Sequence, residues 1–147
     1  MTTYVLKGKD VRETWHVIDA AGRPLGRLAS EVAAILRGKQ RPTFTPSMGN
    51  GDFVIVVNAA KVTASGDQRA KVYWRHSQYP GGLKSISQDK LLATRPERAV
   101  EYAIKGMLPH NAHGAVLLKH LKVYAGPDHP HQAQINAGKG KARETKA

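Results

Sequence analysis

The chain contains no cysteine. It therefore has no disulfide, no thiolate nucleophile and no zinc ribbon to offer. Long apolar runs are missing too. The stretch from Phe53 to Val57 is far shorter than the ~20 residues a membrane-spanning helix needs. The N-terminus, Met-Thr-Thr-Tyr-Val-Leu-Lys, has neither the apolar segment nor the small-residue cleavage site of a secretory leader, so a cytoplasmic address is expected. Negative charge is scarce: 11 Asp and Glu stand against 23 Lys and Arg in 147 residues, a formal net charge of +12. Such a field attracts polyanions, and beside a nucleic acid each cation displaces condensed counterions. A membrane surface is the competing polyanion. No long helix with a broad apolar face opposite a lysine-rich one is present to serve as an interfacial anchor, so no membrane partner is expected.

A hydrophobic fraction of 41% is ordinary for a folded protein of one domain. Trp15-His-Val-Ile-Asp19 reads as a strand that stops at the turn-forming Ala-Ala-Gly-Arg-Pro24. Leu28, Val32, Ile35 and Leu36 then recur with helical spacing before Gly38, a helix-ending residue. Phe53 to Val57 suits a strand covered on both faces. Strand, helix and strand make a βαβ unit and hence a parallel sheet. Residues 71–76 read as another strand and 79–87 as a loop. Pro96 opens a helix whose stripe of Val100, Ala103, Ile104 and Met107 closes at Pro109. Asn111 to His120 reads as a shorter helix, and Leu121 to Tyr124 as a strand. The domain is expected over 1–135, with an extended N-terminal arm, and residues 136–147 as a flexible basic tail.

The cations are unevenly placed. Arg23, Arg27, Arg37, Lys39 and Arg41 flank the first helix with only Glu31 among them. Cations at a helix C-terminus complement its dipole, which accounts for one or two of these. From Gln68 to Ser87 there are Arg69, Lys71, Arg75 and Lys84 and no acid, and from Ala103 to Pro127 there are Lys105, Lys119 and Lys122, again with no acid. Within Tyr73-Trp-Arg-His-Ser-Gln-Tyr-Pro-Gly-Gly-Leu-Lys84, the cations suit phosphates, Tyr73, Trp74 and Tyr79 offer faces for stacking, and Gly81 and Gly82 let backbone approach a phosphate. Equally, Tyr73 or Trp74 could point into the core from a strand while the glycines simply make a turn.

These residues carry a resemblance. Trp15-His-Val-Ile-Asp-Ala20, Leu25-Gly-Arg-Leu-Ala-Ser30, Leu36-Arg-Gly-Lys39, Gly51-Asp-Phe-Val-Ile-Val-Val-Asn-Ala59, His76-Ser-Gln-Tyr-Pro-Gly-Gly-Leu-Lys84, Gly106-Met-Leu-Pro-His-Asn111, Leu121-Lys-Val-Tyr124 and His129-Pro-His-Gln-Ala-Gln134 run in order across roughly residues 14 to 135. As an ordered set they resemble the bacterial large-ribosomal-subunit protein family number thirteen. The loop around Met48-Gly-Asn50 and the tail after Gln134 depart from it, and no RNA contact is carried over to them from the family. The resemblance implies a three-layer α/β/α domain around a short, mostly parallel four-stranded sheet. It further implies a structural, non-enzymatic role in the ribosome: binding large-subunit (23S) ribosomal RNA early in assembly, with neighbouring large-subunit proteins as further partners and no small-molecule substrate. The residues expected to meet RNA are Arg27, Arg37, Lys39, Lys71, Arg75, His76, Tyr79, Gly81, Gly82, Lys84, Lys105, Lys119, Lys122 and His131, with Lys139, Lys141 and Arg143 in the tail.

Rival readings fare worse. Phe53 to Ala60 resembles a dehydrogenase strand, but the turn Asp19-Ala-Ala-Gly-Arg-Pro-Leu-Gly26 lacks G-x-G-x-x-G spacing, and neither a P-loop nor a Tyr-x-x-x-Lys pair is present, so no cofactor is expected. Among the seven histidines, His110 and His113, and His129 and His131, have tempting metal-ligand spacings. Pro109 and Pro130 interrupt them and no H-E-x-x-H occurs, so no metal is expected. Asp19, Asp52 and Asp128 sit beside turn-prone residues, where aspartate caps backbone amides rather than working as paired acids. A DNA-binding repressor would show helix-turn-helix spacing or a dimerisation heptad, and neither is found.

Overall fold

The computed structural model describes residues 6–11, 13–49, 51–67 and 70–143. Three strands, β1 (Trp15–Asp19), β2 (Phe53–Val57) and β5 (Leu121–Val123), form a parallel sheet in the order β1-β2-β5. The helix α1 (Leu25–Leu36) is the crossover from β1 to β2, as the apolar spacing requires. β2 lies in the centre, with Val54 to Val57 buried, which is why its sequence is a continuous apolar run instead of an alternating one. Leu28, Val32 and Leu36 of α1 bury against Val54 and Val56 of the sheet, with Val100 and Ile104 of α3 (Pro96–Met107), Leu117 of α4 (Ala112–Lys119) and Leu121. Each such side chain, fully buried, contributes roughly 1.5–3 kcal/mol of transfer free energy.

The helix ends follow the residues present. Gly38 takes φ +73°, and its N–H donates to the Ile35 carbonyl at 2.9 Å while Lys39 N–H donates to the Ala34 carbonyl at 3.0 Å. This paired closure satisfies two carbonyls that α1 would otherwise leave open. Asn111 caps α4, its side chain accepting from Gly114 N–H at 2.8 Å. Pro96 occupies the first turn of α3, where a missing N–H costs nothing.

Asp52 ties the start of both β1 and β2 to the loop after α1. Its buried carboxylate accepts from Thr14 N–H at 2.9 Å, from His16 Nε2 at 3.0 Å and from the Arg41 guanidinium. Beside it, a Cβ on Gly51 would lie 1.7 Å from the Leu36 carbonyl oxygen, so only glycine lets β2 begin directly beneath the end of α1. Asp19 closes the β1–α1 turn. Its carboxylate accepts from Ala21 N–H at 3.0 Å and from the Asn58 amide at 2.9 Å. The Ala21 bond first, then Asn58, with Lys61 and Arg23 nearby, hold its pKa below the ordinary 3.8 against a small opposing effect of burial. Asp19 does the turn chemistry that its neighbours in sequence imply. Asp52 does not, because its carboxylate is buried and taken up by Thr14, His16 and Arg41, which are distant in the chain.

Four further expectations are corrected. The parallel sheet has three strands among the described residues, not four. The anticipated extra strand, β3 (Val72–His76), pairs instead with β4 (Leu83–Ser87) in a separate antiparallel hairpin. Joining the sheet would have buried Arg75 and Lys84, whereas the hairpin leaves them in solvent with a sequence-local partner. Second, the second half of the segment read as a loop is β4 itself, because the turn at Tyr79–Gly82 reverses the chain sooner than composition indicated. Third, an additional short helix, α2 (Gln88–Thr94), links the hairpin to α3. Fourth, α5 (Gln132–Arg143) is helical where a tail was expected from 136. Its Gln, Ala, Lys and Arg residues favour helix strongly enough to carry two glycines.

Two outcomes follow. Replacing Gly51 by alanine should destabilise the protein by about 1–3 kcal/mol or more in urea denaturation, because a backbone carbonyl has nowhere to move. For Asp19, whose folded pKa is lowered, the stabilisation is present above the ordinary aspartate range and is lost as pH falls through the lowered folded value. The thermal midpoint of Asp19→Asn should therefore lie below that of the parent at pH 7 and converge with it in strong acid.

Candidate nucleic-acid interface

The β3–β4 hairpin stands beside α3, and between them runs a groove of about 840 Å³. Five permanent cations line it: Arg75 and Lys84 from the hairpin, Arg95, Arg98 and Lys105 from α3 and its leading edge. No carboxylate lines it, and none of the five forms an ion pair among the described residues. Arg75 and Lys84 are register partners, so their side chains leave the same face of the hairpin from directly opposed positions. Like charges placed this way repel and weaken a hairpin. An anion in the groove turns that repulsion into attraction.

Aromatic rings supply the rest of the wall. Tyr73 meets Tyr102 of α3 at 5.5 Å between ring centroids, which anchors the hairpin to the helix, and Lys71 Nζ sits 5.4 Å over the Tyr73 ring. The Tyr73 hydroxyl is buried with no hydrogen-bond partner. Trp74 belongs to the wall and is 65% exposed. Of the two readings of these aromatics, Tyr73 takes the packing role and Trp74 the solvent-facing one.

The hairpin tip explains its glycines. Gly82 N–H donates to the Tyr79 carbonyl at 2.9 Å, with Pro80 second in the turn and Gly81 third at φ +70°, the arrangement of a type II turn. A Cβ on Gly82 would fall 2.1 Å from Ser77 Oγ and 2.8 Å from the Tyr79 carbonyl oxygen. Both glycines are thus demanded by the turn itself. Tyr79, 75% exposed, stands at its corner. A smaller cavity of about 170 Å³ opens here between Arg75, Ser77, Gly82 and Lys84. His76 Nδ1 accepts from Gln78 N–H at 3.0 Å, so one ring nitrogen is committed to the turn.

The other expected residues lie elsewhere. Arg27 is exposed on α1, while Arg37 and Lys39 sit at its C-terminal closure, half-buried and exposed respectively. Of the remaining cations around that helix, Arg23 pairs with Glu31 and Arg41 with Asp52, so both are engaged within the protein. Lys119 is exposed in the last turn of α4 and Lys122 half-buried on the edge strand β5. His131 is held internally: Nε2 lies 2.8 Å from Tyr124 Oη and the ring stacks on Trp15 at 5.4 Å. That stack continues through Phe53, 4.4 Å from Trp15, to His120, 4.2 Å from Phe53. Lys139, Lys141 and Arg143 fall on the last turns of α5, with their side chains outside the described part of the structure; Arg69 and Lys146 lie outside the described residues altogether.

Sequence reading missed Arg95, Arg98 and Tyr102. The signal was there, because 98, 102 and 105 recur with helical spacing opposite the apolar stripe of Val100 and Ile104. Counting acids along the chain hid it, since Glu97 and Glu101 interrupt the run in sequence yet do not line the groove. Among the described residues no cluster of His, Asp or Glu is suited to a metal ion, and no helix is long and apolar enough to cross a membrane.

The sequence model of the family described as ribosomal protein L13 matches residues 13–130. Curated relatives agree. A large ribosomal subunit protein uL13 of Natranaerobius thermophilus is 58% identical over 134 residues, covering 90% of this chain and 94% of its own. The protein of the same name from Salinispora arenicola is 56% identical, covering 91% of this chain and 92% of its own. That of Francisella philomiragia is 55% identical, with 91% and 95% covered.

Because Gly81 holds φ +70°, a valine there should distort the Tyr79–Gly82 turn and leave the parallel sheet intact. Amide exchange should quicken across β3 and β4 alone; unchanged protection in the hairpin would mean that the turn does not set its geometry.

Proposed function

The chain belongs to the ribosomal protein L13 family, and from that premise we propose that it is a constituent of the large ribosomal subunit which binds 23S ribosomal RNA and stabilises its fold during early subunit assembly. The family is structural, not enzymatic. Its place is then the cytoplasm, within the ribosome, with neighbouring large-subunit proteins as further partners.

One observation carries the reading: five cations without a carboxylate line the groove between the hairpin and α3. Folding brings them together from sites up to thirty positions apart in the chain, against their mutual repulsion. A surface built only for solubility would intersperse acids. Phosphates reward this arrangement by releasing counterions, and the exposed aromatic beside them adds a stacking face.

Three further sets complete the surface. Arg27, Arg37 and Lys39 meet phosphates at the end of α1; Lys119 and Lys122 do so along α4 and the sheet edge; Lys139, Lys141 and Arg143 extend the reach from α5. Lys71, His76, Tyr79, Gly81 and Gly82 shape and flank the hairpin side of the groove. His131 acts from within, fixing the start of α5 through Tyr124 and Trp15. The scaffold beneath is read as three layers, with α1 and α3 on the Val54 and Val56 face of the sheet and the α5 segment on the face of Trp15 and Phe53. Support for this comes from the buried cluster on the first face and the ring stack on the second.

At matched salt, structured large-subunit RNA should displace the protein from duplex DNA and from a simple polyanion of equal charge density. Arg75→Ala with Lys84→Ala should weaken RNA binding and lower the slope of log affinity against log salt by about one unit per lost phosphate contact, without lowering stability. Arg37→Ala with Lys39→Ala should act likewise at the second set. An unchanged slope would assign those residues to helix-end electrostatics alone.

A further inference from the structure

Toward the tip of the hairpin, its cationic face carries a second feature, the cavity of about 170 Å³ lined by Arg75, Ser77, Gly82 and Lys84. The alternation of β3 puts Arg75 and Ser77 on one face, and the register puts Lys84 there opposite Arg75. Ser77 N–H donates to the Gly82 carbonyl at 3.2 Å, so these two form the next rung of that same face. The two rungs mark out a patch about 7 Å along the strands and about 5 Å across, the scale of one tetrahedral anion. The cavity is smaller than the roughly 300 Å³ at which pockets begin to hold a whole small molecule, so it suits a single group and not a nucleoside.

Its donors are open. Among the described residues, Arg75, Ser77 and Lys84 make no side-chain hydrogen bond or ion pair, and no carboxylate lines the cavity. The two permanent charges stand at directly opposed positions, which weakens a hairpin unless an anion lies between them. Gly82 keeps the space clear, because a Cβ there would fall 2.1 Å from Ser77 Oγ and displace the hydroxyl. A carboxylate holds two oxygens in one plane, whereas a phosphate presents oxygens in several directions and can accept from a guanidinium, an ammonium and a hydroxyl together.

Resting on the ribosomal reading above for the source of the ligand, we propose that these four residues form a seat for one phosphate group of the RNA backbone, with Arg75 and Lys84 supplying the charge, the Ser77 hydroxyl a neutral donor and Gly82 the opening. Ser77 is the part that a count of charges does not supply. A free phosphate ion offers the same chemistry and is the other source the test must separate.

The test uses the full chain labelled with nitrogen-15 and titrated with sodium phosphate, with sodium acetate at the same pH and ionic strength as the control. Phosphate should shift the Ser77 and Gly82 amide resonances saturably, and acetate should not. Ser77→Ala removes one hydroxyl from an exposed position and no charge, so it should leave the rest of the spectrum unchanged and weaken phosphate binding about fivefold. It should also lower affinity for 23S RNA with the salt slope unchanged, whereas Lys84→Ala should lower both. No saturation at Ser77 and Gly82, equal shifts with acetate, or an unchanged phosphate affinity in Ser77→Ala would each overturn the seat. Phosphate binding that depends on Ser77, beside an RNA affinity that does not, would overturn the RNA backbone as its source and assign the seat to free phosphate. Competition between 23S RNA and duplex DNA run in parallel separates the two readings: kept preference for 23S RNA without phosphate binding at Ser77 and Gly82 sinks only the seat, and phosphate binding without that preference sinks only the ribosomal assignment.

Discussion

Positive charges fixed on one surface repel, and the arrangement of this molecule follows from where that repulsion is borne. Arg75 and Lys84 face each other across the hairpin, and Arg95, Arg98 and Lys105 answer them from α3 with no acid between. Elsewhere three of the acids serve the protein's own architecture. Asp52 gathers Arg41, His16 and the Thr14 amide, Asp19 closes the first turn, and Glu31 holds Arg23. The division leaves one set of cations structural and another set open.

What bears the repulsion is burial on the opposite side of the same elements. The helix that presents Arg98 and Lys105 outward presents Val100 and Ile104 inward, where both are fully buried against α1 and the sheet. The hairpin has no core of its own, and it is fastened to α3 by the contact of Tyr73 with Tyr102. A two-stranded hairpin alone is marginal in water, so its orientation depends on that contact and on the Tyr79–Gly82 turn. The groove thus has one wall anchored in the core and one wall held to it by fewer contacts.

How much of this could be read from residues alone depended on the kind of signal. α1 was legible to its end, because Leu28, Val32, Ile35 and Leu36 carry the helical period and Gly38 supplies the left-handed closure. The parallel pairing of β1 with β2 followed from an apolar run and a crossover helix. The hairpin was half legible: Leu83-Lys-Ser-Ile-Ser87 holds too few apolar residues to declare a strand, and only pairing with β3 makes it one. The tail was misread from 136 because a polar composition conceals helix propensity. In the site, Arg75, Lys84 and Lys105 were found by counting charge, whereas Arg95 and Arg98 required knowing which face of α3 turns toward the hairpin. His131 was placed among RNA-facing residues on its neighbours in sequence, and its ring proves to be engaged by Tyr124 and Trp15.

The central claim is that the open cations and rings between the hairpin and α3 are matched to folded RNA. Photocrosslinking of purified large subunits, followed by mapping of the modified peptides of this chain, tests it most directly. The account places 23S RNA adducts on the span from Tyr73 to Lys105, with Trp74 among the modified residues. Adducts confined to other parts of the chain, with that span unmodified, would contradict it.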